Sequence, residues 1–169
     1  MMRSWLLILL TVALGGCAGG YKLGPTNGVA PGSRSVKIKP FVNKTQEPRI
    51  TEYMSTSMRR VLQQDGTFRL ETSGSPDILV SGEIIRFDRV GLAYQQGDVL
   101  TPAQYTLILQ CRISATDINT GKVFMSRMVQ GSTYIQIGND EYTNEREAIP
   151  ILTDKLAHNA VSLLVDGAW

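Results

Sequence analysis

From Tyr105 to Thr116 the chain alternates: Tyr105, Leu107, Leu109, Cys111, Ile113 and Ala115 fall on one side, and Thr106, Gln110, Arg112, Ser114 and Thr116 on the other. A period of two puts successive side chains on opposite faces of an extended strand, so this segment predicts a long strand with one buried and one polar face. A polar face suits an antiparallel sheet, because parallel sheets are usually covered on both sides. The run Asp117-Ile118-Asn119-Thr120-Gly121-Lys122 supplies turn residues, and Val123 to Ile137 is again strand-like, so an antiparallel pair is expected.

The other elements build around that pair. Val36 to Val42 alternates and predicts a first strand, which Pro40 confines to a sheet edge or ends in a bulge. After a loop through Asn43-Lys44-Thr45 and Glu47-Pro48, the residues Ile50, Tyr53, Met54, Met58, Val61 and Leu62 recur at helical spacing up to Gly66. Phe68 to Glu71 has room for a short strand, and Ser73 to Pro76 breaks the chain again. In Asp77 to Asp88, Ile78, Val80 and Ile84 share one parity while Leu79, Ile85 and Phe87 share the other. This strand is therefore covered on both faces or carries a bulge near Gly82. Arg89 to Pro102, with two glycines, a proline and two glutamines, reads as a long loop between strands.

A second amphipathic helix opens at Asp140 to Asn144 and runs through Ile149, Leu152, Leu156, Ala160, Leu163 and Leu164 to Gly167, with Pro150 acceptable only near its first turn. The expected fold is α+β, in the order β-α-β-β-β-α. It is a two-layer sandwich in which a mostly antiparallel four-stranded sheet carries both helices on one face. The chain has 169 residues, 43% hydrophobic and 19% charged, which suits a single domain with its own core, here residues 36–169.

The N-terminus sets where that domain works. Arg3 is followed by an apolar stretch from Trp5 to Leu14, about the length of an export-signal core and too short to span a membrane. Leu14-Gly15-Gly16-Cys17 resembles a lipobox: an apolar residue, two small residues that fit a protease cleft, then the nucleophilic thiol. The resemblance implies cleavage of residues 1–16 and acylation of Cys17, palmitate included, with two or three chains giving a stable anchor. Residues 17–35, rich in glycine and proline, read as a tether. Gram-negative lipoproteins held at the inner membrane tend to carry an aspartate just after the cysteine; here Ala18, Gly19 and Gly20 follow it, and this resemblance implies the periplasmic face of the outer membrane. With Cys17 acylated, Cys111 is left without a disulfide partner and is expected in the core.

Little in the chain points to chemistry. It has one histidine, no cysteine cluster and no glycine-rich phosphate loop, so neither a metal site, a cofactor nor an enzyme is expected. His158 is expected at the solvent boundary of the last helix, and Glu145, Glu147 and Asp154 as ordinary helix-start carboxylates. The 17 basic and 15 acidic residues leave the mature chain near neutrality, so nucleic acid is not an expected partner. Lys37, Lys39, Arg86, Arg89, Arg112 and Arg127 stand out on the expected outer face of the sheet, where they can meet lipid phosphates or an acidic partner.

Three stretches carry a family resemblance: Gly20-Tyr21-Lys22-Leu23-Gly24 after the cysteine, Val36 to Thr45 with its Asn-Lys-Thr loop, and Pro76 to Ile84 with its Asp-hydrophobic-Gly-x-Ile pattern. Together with the Tyr105 strand, the Asp117 to Gly121 turn and the Ala148-Ile149-Pro150 opening of the last helix, they resemble the LptE family of lipopolysaccharide-assembly lipoproteins. That resemblance implies a non-enzymatic role: plugging the LptD outer-membrane barrel, helping it assemble, and contacting lipopolysaccharide on its way to the surface. Basic residues are proposed for lipid A phosphates in that family; no motif carries them over by position, and Arg86, Arg89 and Arg112 are candidate contacts from their place on the expected outer face, with the Arg89 to Pro102 segment and the tip at Asn119 the parts expected to reach the partner. The rival readings are a peptidoglycan-synthesis regulator and a curli-type secretion component, which share the strand, Asn-x-Thr loop and helix but place more helices after the middle strands.

Overall fold

The computed structural model describes residues 30–95, 98–136 and 141–166. Cys17, the expected export signal and most of the expected tether lie outside them. The elements are β1 (Arg34–Ile38), β2 (Val42–Asn43), α1 (Ile50–Asp65), β3 (Phe68–Leu70), β4 (Ile78–Gln95), β5 (Asp98–Asp117), β6 (Val123–Gln136) and α2 (Glu141–Asp166). Among the described residues no helix is long and apolar enough to cross a membrane.

Both helices cover one face of the sheet, as the periodicity requires. The sheet itself differs from the expected mostly antiparallel four strands: it is curled, six-stranded and mixed, in the order β3-β1-β4-β5-β6, with β2 also on β4. β1 runs parallel to both β3 and β4, so the first strand is interior and not at an edge. Its expected extent, Val36 to Val42, is broken at Lys39–Phe41 into β1 and β2, both parallel to β4. Pro40 sits in that gap, where its missing N–H removes no ladder bond. Lys39 N–H and Lys44 N–H hold the two sides, donating to Val80 and Ile84 carbonyls at 2.9 Å each.

Local sequence explains the joints. Asn43 Oδ1 accepts from the Thr45 amide at 2.9 Å and hydroxyl at 2.7 Å, while its Nδ2 donates to Glu47 O at 2.8 Å. The Asn-Lys-Thr stretch is thus a side-chain-closed turn that aims the chain into α1. At the other end of β1, Asp77 Oδ2 accepts from both the amide and the hydroxyl of Ser35, each at 2.7 Å, locking the start of β1 to β4. Arg34 Nη2 also reaches Asp117 Oδ2 at 2.6 Å. The entry of the chain and the β5–β6 turn therefore share one end of the sheet.

The core is a single layer between helices and sheet. Ile50, Met54, Met58 and Leu62 of α1, Leu152, Leu156 and Leu164 of α2, and Ile78, Ile84, Leu107, Leu109 and Ile113 of the sheet are fully buried. Each such side chain stabilises the fold by roughly 1.5–3 kcal/mol relative to exposure. Ser57 and Thr153 hydroxyls meet at 3.3 Å where the helices touch. α2 continues through Pro150 well beyond its first turn, contrary to expectation. Lacking an N–H, Pro150 cannot donate to the Arg146 carbonyl four residues earlier, so the helix runs on with that one bond missing while Ile149, Leu152 and Leu156 around it are buried in the core.

Candidate functional site

The face of the sheet opposite the helices carries no further element among the described residues. Its residues follow from β5: Leu107, Leu109, Cys111, Ile113 and Ala115 point into the core, so Thr106, Ile108, Gln110, Arg112, Ser114 and Thr116 point out. On β4 the expected bulge is real and falls between Ile84 and Arg86. Ile78, Val80 and Ile84 point inward before it. After it the parity reverses: Phe87 pairs with Leu109 and packs on the core, while Arg86, Asp88 and Val90 pair with Gln110, Ile108 and Thr106 on the bare face.

The bare face is polar and internally paired. Arg112 Nη1 and Lys44 Nζ lie 3.5 Å and 3.1 Å from Glu83 Oε2, and Arg86 Nε lies 2.6 Å from Asp88 Oδ2. Gln110 Nε2 donates to Gln130 Oε1 at 3.0 Å, and the Ser114 hydroxyl donates to that of Ser126 at 3.1 Å. Exposed Val90, Met128 and Tyr134 are set among these groups. Ion pairs this exposed contribute about 0–1 kcal/mol each to stability. They hold the arginines in place while leaving them accessible.

Two of the three candidate arginines, Arg86 and Arg112, share this face; Arg89 does not. Arg89 pairs with Leu107 on the helix side, where its guanidinium meets both Glu145 oxygens at 2.7 Å and 2.5 Å and lies 5.1 Å from the centroid of Phe87. It borders a cleft of about 320 Å³ that also receives Arg49, Tyr53 and Arg146. Arg127, expected on the outer face, pairs with Ile113 and so falls on the helix side as well.

The expected loop from Arg89 to Pro102 is instead the continuation of β4 into β5. Gly91 pairs with Tyr105, Ala93 with Gln104 and Tyr94 with Pro102, with register shifts that absorb the glycine and proline residues. β6 stops pairing at Gln136 opposite Gln104, so the β4–β5 ribbon runs on beyond it. β5 has 20 residues, which at strand rise is on the order of 65 Å. The ribbon tip and the Asn119 turn therefore stand at opposite ends of the domain.

Other buried and titratable groups lie away from this face. Cys111 is buried in the core, as expected, and burial pushes its thiol up to about 12. The amide and hydroxyl of Ser35 hold the Asp77 carboxyl below the usual range, and the Thr120 amide does the same for Asp117, with Arg34 assisting both. Asp77 was legible only as part of a pattern; its role as a lock appears once β1 is seen to lie beside β4. His158 is exposed, with Nε2 at 3.9 Å from Asp154. Among the described residues no three His, Cys, Asp or Glu side chains come together as a metal site.

Residues 33–164 match the family model described as LptE, lipopolysaccharide-assembly. No curated protein matches the chain. Solved structures of the same fold include a protein from Xanthomonas campestris at 10% identity and TM-score 0.60, covering 84% of this chain and 90% of that one. A hypothetical protein of Chlamydia trachomatis gives 13% identity and TM-score 0.57, over 82% and 98% of the two chains. The PelC dodecamer from Paraburkholderia phytofirmans gives 14% identity and TM-score 0.56, over 79% and 89%. At these identities the likeness is one of fold.

Proposed function

The chain belongs to the LptE lipopolysaccharide-assembly family, and on that basis we propose that it is the outer-membrane lipoprotein that plugs an LptD-type barrel and assists its assembly. The observation that carries the proposal is the one-sided sheet, with helices on one face and, on the other, a paired polar surface studded with Val90, Met128 and Tyr134. Such a face suits the polar inner wall of a wide barrel, where interior-facing residues alternate with lipid-facing ones.

In this reading acylated Cys17 holds the protein at the periplasmic face of the outer membrane. The chain enters the domain at Arg34, at the end shared with the Asn119 turn. The β4–β5 ribbon then projects from the far end, toward whatever lies farthest from the entry. Arg86 and Arg112 are the proposed contacts on the bare face, for the barrel or for lipopolysaccharide phosphates. Arg89, held by Glu145, is proposed to fix the base of the ribbon to α2. No catalytic step is assigned to the chain.

Affinity purification in mild detergent tests the partner, and replacing Arg86 and Arg112 together with glutamine tests the face. Loss of barrel association or of lipopolysaccharide binding is expected; unchanged binding of both removes the two arginines from the interface.

A further inference from the structure

Among the described residues β6 pairs with a strand on one side only, and a 14-residue edge strand presents outward backbone groups that can template another strand. This edge is not bare. Asn159 Nδ2 donates to Gln130 O at 2.9 Å, Lys155 Nζ to Ser132 O at 3.2 Å, and Asn144 Nδ2 to Gln136 O at 3.0 Å.

The spacing has a geometric cause. α2 runs antiparallel to β6, and four residues of helix rise about 6 Å, close to the roughly 6.7 Å rise of two strand residues. Donors four apart on the helix therefore meet carbonyls two apart on the strand, as Asn159 and Lys155 meet Gln130 and Ser132. Ile151, next in that series, has no donor, and Asn144 resumes the contact at Gln136. Gly131 sets the separation: a Cβ there would stand 2.9 Å from Leu156 Cβ and 3.0 Å from Leu152 O. Only without that atom does α2 lie near enough for a side chain as short as asparagine to reach the strand.

We infer that α2 is an edge guard, whose polar flank, seated by Gly131, closes the Gln130–Gln136 stretch of β6 against strand addition by a second copy of this chain. The opposite edge, β3, is three residues long and offers little to pair with. The inference is independent of the barrel reading, since it concerns the chain alone.

Full-length protein carrying Ser132→Cys, purified in detergent and mildly oxidised, reports edge-to-edge pairing as a disulfide dimer; buried Cys111 does not contribute. With Asn144→Ala, Lys155→Ala and Asn159→Ala added, the dimer yield at equal protein concentration rises at least tenfold, and light scattering shows dimer. The donor-retaining pair Lys155→Arg and Asn159→Gln stays at the reporter's level. A folded triple variant that crosslinks no more than the reporter overturns the inference, as does an Arg/Gln variant that crosslinks as much as the triple. Should the triple variant fail to fold, Lys155→Ala alone, at an exposed position, decides: a threefold rise supports the guard and no rise overturns it.

Discussion

The ring of Phe41 fills the space beside Gly82 where a side chain would start, so that a Cβ at residue 82 would fall under 3.0 Å from three ring atoms. Phe41 is only 4% exposed and sits in the gap between β1 and β2, so this contact closes the core where the strand is interrupted. Gly82→Ala should displace the ring and lower stability by about 1–3 kcal/mol. Phe41→Ala should cost roughly 3–5 kcal/mol. Because the two substitutions disturb one contact, the double variant is expected to be less destabilised than the sum. Denaturant titration of the four proteins measures this, and simple additivity would contradict the contact.

Acid should loosen the end of the sheet where the chain enters. Asp77 and Asp117 have carboxyls held below their ordinary value of 3.8, chiefly by the Ser35 and Thr120 amides respectively. A lowered folded value means the contribution is fully present above 3.8 and is lost as pH falls through the folded value. Tm is therefore expected to be flat from about pH 7 to 5 and to fall below about pH 4. Asp77→Asn should lower Tm at neutral pH and flatten the acid slope, whereas an unchanged slope would contradict the Ser35–Asp77 lock.

The candidate arginines should separate by face. Arg86→Gln with Arg112→Gln is expected to weaken association with the barrel or with lipopolysaccharide while leaving Tm within about 1 °C of the parent, since exposed pairs contribute little. Arg89→Gln should instead speed amide exchange in the first turns of α2, because it removes both bonds to Glu145. Exchange mass spectrometry beside a binding assay distinguishes the two; equal behaviour of all three arginines would contradict the division.

Cys111 should behave as a core residue. With its thiol buried and pushed up to about 12, maleimide labelling at pH 8 is expected only after unfolding. Rapid labelling of the native protein would show that β5 opens or that the thiol faces solvent.

Much of the fold was legible where a local period survives. Leu107 to Ala115 declares β5, and Ile50 to Leu62 and Leu152 to Leu164 declare the helices, because each face is fixed by one environment along its length. What escaped depends on partners distant in sequence. The parallel pairing of Val36 with both Leu70 and Ile78 has no local mark. The stretch after Arg89 looked like a loop because glycine, proline and glutamine break its period, yet β5 supplies the register and bulges absorb the breaks. The arginines were readable as residues but not as a site, since the bulge after Ile84 alone moves Arg86 to the bare face.

In the proposed reading this chain works as the partner of an outer-membrane barrel. Its most direct test is to purify the full-length chain from cell envelopes in mild detergent and quantify what accompanies it. Recovery of an LptD-type barrel in equal molar amount is the predicted result; recovery of the chain without any barrel would contradict it.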